Sequence, residues 1–389
     1  MSAILPDSLA ARLRGIPPFH VMELLARAQA LEAQGHDIIH LEVGEPDFPS
    51  PEPVIRAAQA FLAKGQVRYT PAVGLPALRE AISGFYAERF SANVDPERII
   101  ITAGASGALL LAVAALTNPG DEWLLTDPGY PCNRQFVQAF NGSVRTLPVS
   151  ATTAWQPTAE QLGAAWGPHT KGLLLASPAN PTGSVLSPTE LNALCANARA
   201  AGKQVIVDEI YQGLVYGETA SSVLGQRQDI FVVNSFSKYF GMTGWRLGWL
   251  VVPEGFARPV EMLAQHLFIA ASTPAQHAAL TAFSSECLEI LELRRQAFAS
   301  RRNGMLKGLR ELGFGIGHEP AGAFYIYANI AGLATDSMEF AHRLLDQAGV
   351  ACTPGKDFGD WQAAAHLRLA YTADETRIAE ALERIRSVL

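Results

Sequence analysis

The sequence predicts an α/β fold: a mainly parallel seven-stranded sheet flanked by helices in a large domain, joined to a smaller α+β domain. Two observations predict it. Seven short apolar runs, IIHLEV, RIIITA, WLLT, GLLLA, QVIVD, IFVVNS and LGWLVV, recur between longer stretches of helical spacing, and strands that alternate with helices assemble into a parallel sheet. Toward the carboxyl end this alternation gives way to shorter elements, FYIYANI, HLRLAYT and a charged final helix. The division that follows is an N-terminal segment over 1–45 that packs with the smaller domain, a large domain over 46–280 and a small C-terminal domain over 281–389.

Between the two regions, Ala275 to Asn303 contains neither Gly nor Pro, and Leu280, Phe283, Cys287, Ile290, Leu291 and Phe298 recur at roughly helical spacing between Pro274 and Gly304. One helix of about 40 Å is expected there. No internal repeat, low-complexity segment or GxGxxG fingerprint occurs, so nicotinamide chemistry lacks its main motif.

Composition narrows the partners. Half of the 389 residues are apolar, enough for a large core. The net charge of −7 is spread along the chain without a run of like charges, which argues against nucleic acid or an anionic membrane and for a small ligand. The amino-terminal residues lack a basic stretch followed by a long apolar core, and the most apolar run, Ala108 to Leu116, is too short to span a bilayer; a cytoplasmic location is expected. Cys132, Cys195, Cys287 and Cys352 form no CxxC pair, so neither a disulfide framework nor a zinc site is indicated.

The residues that follow the apolar runs carry the chemistry. RIIITA leads into GASGA, WLLT into DPGYP, GLLLA into SPANPTG, QVIV into DEIY and IFVVN into SFSK. Ligands of open parallel sheets bind at the carboxyl ends of the strands, so these five clusters should share one rim. Of six lysines, Lys171 and Lys203 come just before apolar runs, Lys64, Lys307 and Lys356 lie outside the central runs, and Lys238 alone ends one. Around it, in SFSKYFGMTGWRLG, Ser235 and Ser237 offer hydroxyls and Arg246 a planar guanidinium suited to phosphate. A nucleophilic amine beside a phosphate site meets the needs of pyridoxal 5'-phosphate (PLP).

This stretch resembles the lysine signature of class I/II aminotransferases, the fold type I PLP enzymes of the aspartate aminotransferase superfamily, at Ser235, Ser237, Lys238, Gly241, Gly244, Arg246 and Gly248. The resemblance runs in the family's order from GEPDF at Gly44 to LRLAY around Arg368. It implies that Lys238 holds PLP covalently and moves the substrate's proton, and that Asp208 pairs with the pyridine nitrogen. Tyr211 and Asn180 would contact the phenolic oxygen. Gly104, Ala105 and Ser106 would cradle the phosphate at a helix N-terminus, and Tyr130 would stack on the ring. Tyr69 would reach the neighbouring site of a homodimer. Arg368 and Gly44 would hold the substrate α-carboxylate, and Phe19, beside His20 in the segment IPPFHVM, would cap the substrate; core packing is the rival reading of Phe19.

The implied function is transfer of an amino group between an α-amino acid and a 2-oxo acid by a ping-pong mechanism. A neutral or aromatic donor is favoured over an acidic one, because the phosphate turn offers Ser106 and Gly107 where some aspartate-preferring relatives place a lysine. A C–S lyase or β-eliminase on the same scaffold is the alternative, since the fold does not decide the reaction. A hydrolase elbow at GASGA fails at Ala108, which stands where that motif needs glycine. A PLP-sensing regulator would need a DNA-binding appendage that the N-terminal residues do not supply.

Overall fold

The computed structural model describes residues 19–217 and 219–389, with Leu9, Ala10, Arg12 and Ile16. Most of the first 18 residues of the expected N-terminal segment, including Pro17 and Pro18 of the capping stretch, lie outside the described residues. Among the described residues twelve strands follow in chain order: β1 Ile39–His40, β2 Ile99–Thr102, β3 Glu122–Asp127, β4 Ser143–Pro148, β5 Thr170–Ala176, β6 Gln204–Asp208, β7 Phe231–Ser235, β8 Gly248–Val251, β9 Tyr325–Asn329, β10 Val350–Ala351, β11 Thr353–Pro354 and β12 His366–Ala370.

Seven of them form the large sheet, in the order β2-β8-β7-β6-β5-β3-β4. Neighbours from β7 to β4 are parallel, and β8 alone is reversed, antiparallel to both β7 and β2. Both faces of the central strands are covered, because successive side chains point to opposite sides of a strand. Leu173, Leu175, Val205 and Val207 enter one core, while Leu174 and Ile206 enter the other beside the helix Gly104–Leu116. At Gly172 the interior tolerates no side chain, since a Cβ there would stand 2.5 Å from the Gln204 carbonyl oxygen.

Membership of the sheet differs from the apolar runs in one place. IIHLEV supplies β1, which pairs in parallel with β10 far along the chain. The seventh place is taken by β4, Ser-Val-Arg-Thr-Leu-Pro, an edge strand largely open to solvent. An edge strand has little face to bury, so its sequence carries little apolar signal. A second, antiparallel sheet has the order β11-β12-β9.

The expected helix over 275–303 is interrupted. Thr273–Ala279 is followed by a short 3₁₀ turn, and a new helix runs Ser285–Glu311. Ser284 makes the break: it is extended, and its hydroxyl accepts the Cys287 N–H at 3.3 Å, the N-cap arrangement that competes with helix continuation. At the other end the helix passes through Gly304 and Gly308; a Cβ at Gly308 would lie 2.3 Å from Leu382 of the final helix, Glu375–Arg386. Glu292 ties the first half of the helix to Arg89 and to the Tyr239 hydroxyl. Among the described residues no helix is long and apolar enough to cross a membrane.

Ser284→Ala should destabilise the protein by about 1 kcal/mol, the usual value of an N-cap hydroxyl, and Ser285→Ala, one residue inside the helix, should change it by less than about 0.5 kcal/mol. Urea unfolding of the two variants checks this; equal effects would remove Ser284 as the cap.

Candidate active site

Because β2, β3, β5, β6 and β7 run the same way, their carboxyl ends share one rim, and the reversed β8 begins there, with Gly248 opposite both Thr102 and Ser235. Lys238 follows β7 in a turn held by hydrogen bonds from Phe236 N to the Leu247 carbonyl and from Met242 N to the Phe236 carbonyl. Its Nζ donates to the Gly44 carbonyl at 2.6 Å. Burial pushes this amine down to about 8, with Glu45 opposing the shift and Arg368 and Arg246 adding to it. Asp208, at the end of β6, is 5% exposed. Burial pushes its carboxyl up to about 6, against the Ile210 N–H at 3.0 Å and the charge of Lys238. The same desolvation thus weakens both charges, and each partly restores the other.

One side of this pair is built for an anion. The helix Gly104–Leu116 starts without a side-chain cap and without an acidic residue in its first turn, so the first N–H groups, from Gly104, Ala105 and Ser106, are left for a ligand at the positive end of the helix dipole. Gly104 has φ +71°, and a Cβ on it would stand 2.8 Å from Nη2 of Arg246; only glycine lets the guanidinium lie over the turn. Arg246 is itself left-handed at φ 52° and donates from Nη1 to the Thr243 carbonyl at 3.0 Å. The Ser235 and Ser237 hydroxyls, 2.9 Å apart, complete the group. Free helix N–H groups, a guanidinium and hydroxyls fit the phosphate of PLP, and Lys238 and Asp208 fit its aldehyde and ring nitrogen.

The other side receives Arg368, which is 5% exposed on β12. Nη1 donates to Asn180 Oδ1 at 3.0 Å, and Nη2 to the Glu42 carbonyl and to Thr353 Oγ1 at 3.2 Å, while the buried Nε has no partner. Its Cζ lies 4.3 Å from the Tyr325 ring centre and 4.8 Å from that of Phe358. A guanidinium whose hydrogen-bond partners are all neutral is costly to bury, and an incoming carboxylate relieves that cost.

Most candidate residues are therefore brought together. Tyr211 shares a 2.8 Å hydrogen bond with Tyr325, and burial, with the Tyr325 hydroxyl beside it, pushes its phenol well up. Tyr130 is also pushed up by burial, with Cys132 next and smaller effects from Tyr325 and Asp208. Phe19, 37% exposed, precedes the helix His20–Glu32, and the His20 side chain meets Glu23 at 3.3 Å. Tyr69 stands apart, 83% exposed on the surface. Sequence reading missed Tyr325, whose hydroxyl would be 1.8 Å from a Cβ on Gly44; Phe358 and Thr353 were missed as well. FYIYANI does read as a strand, but an aromatic residue within a strand reads first as core.

The sequence profile of the family described as aminotransferase class I and II matches residues 36–385. Valine–pyruvate aminotransferase of Mycobacterium tuberculosis is 40% identical over 386 residues, covering 98% of this chain and 99% of that protein. Aspartate aminotransferase of Thermotoga maritima is 35% identical over 384 residues, with 98% and 99% covered. The crystal structure of an aminotransferase from Mycobacterium tuberculosis superposes with a TM-score of 0.94 at 39% identity, over 98% of this chain and 99% of that one. With the profile spanning nearly the whole chain, the protein belongs to the class I and II aminotransferases.

Proposed function

We propose that this aminotransferase uses PLP held by Lys238 to move an amino group from a neutral or aromatic α-amino acid to a 2-oxo acid in two half-reactions. The observation that carries the reading is a buried amine and a buried carboxylate on one rim of the large sheet, with a guanidinium of neutral hydrogen-bond partners reaching them from the small sheet. When bound, PLP supplies an electron sink for the pair left when the Cα–H bond of the amino acid breaks.

The roles of the side chains follow from their surroundings. Arg368 binds the α-carboxylate in a planar, two-point contact, with the backbone of Gly44 opposite. The Lys238 amine, freed from the cofactor, takes the proton from Cα and returns it on the other side of the exchange. Asp208 keeps the ring nitrogen protonated, and that positive neighbour in turn holds its carboxylate ionised. Asn180 spends Oδ1 on Arg368, which leaves its NH₂ free to donate to the phenolic oxygen beside the Tyr211 hydroxyl. Gly104, Ala105, Ser106, Ser235, Ser237 and Arg246 hold the phosphate, and Tyr130 stacks on the ring.

Three further readings accompany this one. The chain divides at 1–45, 46–280 and 281–389; pairing of β1 with β10 supports assigning the first segment to the C-terminal part. The active unit is a homodimer, in which the exposed Tyr69 reaches the partner's site, and it works in the cytoplasm. Donor preference is supported by the relative named for valine and pyruvate, which is more similar than the one named for aspartate.

Lys238→Ala should abolish turnover and the visible absorbance of bound PLP, and full activity in that variant would end the proposal. In the parent apoprotein the neutral amine is the nucleophile, so the rate of PLP capture should rise with pH through about 8 and level off above it. An unperturbed lysine would instead keep accelerating to about pH 10, and stopped-flow absorbance separates the two.

A panel of single amino acids mixed with the PLP form, followed by absorbance, should show fast half-reactions with valine, alanine or aromatic donors and slow ones with aspartate and glutamate. Preference for acidic donors would overturn the substrate assignment. Release of pyruvate and ammonia from cysteine conjugates without a 2-oxo acid acceptor would overturn transamination.

A further inference from the structure

The loop Gly355–Trp361, between β11 and β12, touches three separate parts of the molecule. Asp357 accepts the His20 and Val21 N–H groups at 2.8 Å each, fixing the start of the helix His20–Glu32. The Phe358 ring, 1% exposed, lies against the Arg368 guanidinium. The backbone of Asp360 and Trp361 then donates to Asp127, at 3.0 Å to Oδ2 and 3.3 Å to Oδ1.

Asp127 is the last residue of β3 and only 3% exposed. Its contact with the loop therefore joins the sheet that carries Lys238 to the sheet that carries Arg368. Two further bonds lie beside it: Gly129 N donates to the Phe358 carbonyl at 2.9 Å, and Arg134 Nη2 lies 3.5 Å from Asp127 Oδ2. Gly359 makes the approach possible, because a Cβ there would stand 1.8 Å from Asp127 Oδ1. A buried carboxylate held by backbone N–H groups is a strong, directional link, and this one grips the backbone two and three residues after Phe358, the ring that flanks Arg368.

We propose that Asp127 is a positioning residue: by gripping the backbone after Gly359 it holds Phe358 against Arg368 and so fixes Arg368 relative to Lys238 for capture of the substrate carboxylate. This rests on Arg368 being the carboxylate ligand. Amino acid and 2-oxo acid share that carboxylate, so losing the grip raises both KM values together. The phosphate cradle and Lys238 lie on the large sheet and keep their hold on PLP.

The test is steady-state kinetics of the holoenzyme with L-valine and pyruvate, or the fastest donor of the panel, for Asp127→Ala, Asp127→Asn, Gly359→Ala, Asp127→Ala with Gly359→Ala, and Arg368→Ala. Asp127→Ala should raise both KM values on the order of 10- to 100-fold, the scale of a small misplacement of a binding group, with PLP affinity and absorbance as in the parent. Asp127→Asn, which keeps the volume and one acceptor, should give a smaller rise. Gly359→Ala should reproduce the rise, and the combined variant should fall short of the product of the two single effects, as expected when both break one contact. Unchanged KM values, loss of PLP with KM preserved, or fully multiplicative effects would overturn the inference. If Arg368→Ala raises both KM values and the Asp127 variants do not, only this inference fails; if Arg368→Ala leaves them unchanged, the carboxylate assignment fails with it.

Discussion

Arg368 is a full positive charge set among neutral partners, and the arrangement of the chain around it shows how many parts of the fold that requires. Asn180 comes from the loop after β5, the Glu42 carbonyl from the segment after β1, Thr353 from β11, and the two flanking rings from β9 and the loop before β12. Each supplies a partial charge or a polarizable face, and none supplies a full negative charge. These contacts therefore offset the desolvation only partly, with the charge of the Asp357 carboxylate also reaching the guanidinium. Those neighbours can meet only if the N-terminal segment, the large sheet and the small sheet are all docked, so the binding charge and the tertiary arrangement depend on each other.

The large sheet contributes the opposite kind of control. Its strands place a lysine and an aspartate at one rim under the same burial, and burial moves their proton affinities toward each other, the amine down to about 8 and the carboxyl up to about 6. An amine near neutrality can both attack an aldehyde and carry a proton. The carboxylate keeps one backbone donor, the Ile210 N–H at 3.0 Å, and the opposing charge of Lys238. The reversed strand β8 matters here because it begins at that rim, which delivers Arg246 to the helix N-terminus at Gly104.

How much of this was legible in the sequence depended on contrast. Lys238 stood out because it alone of six lysines ends an apolar run and has Ser235, Ser237 and Arg246 around it; Asp208 alone reads as a cap or turn residue at a strand end, and the resemblance singled it out. Arg368 stood out because an arginine inside LRLAY is expensive without a partner. Tyr325 did not, since an aromatic residue in a strand satisfies core packing and a binding site equally well, and only the closeness of its hydroxyl to Gly44 decides between them. β4 escaped notice because an edge strand alternates polar residues toward solvent. Helical spacing persists on both sides of Ser284, so periodicity ran through a break made by one hydroxyl. The pairing of β1 with β10 spans most of the chain, and no local pattern encodes a partner at that distance.

The charges around the site also bear on which amino acid it accepts. The two guanidiniums whose charge reaches Lys238 are Arg246 and Arg368, and the proposed function gives one to the phosphate and the other to the α-carboxylate. The nearby anions are Glu45 and Asp208, which both hold Lys238 toward its charged form, and Glu45 also accepts a hydrogen bond from the Thr243 hydroxyl. A donor with a second carboxylate would bring another negative charge toward Glu45 with neither guanidinium left to receive it, and like charges at short range in a poorly solvated site repel strongly. A neutral side chain carries no such penalty. This charge balance supports the donor class proposed above, as does the phosphate turn, where Ser106 and Gly107 offer no cation.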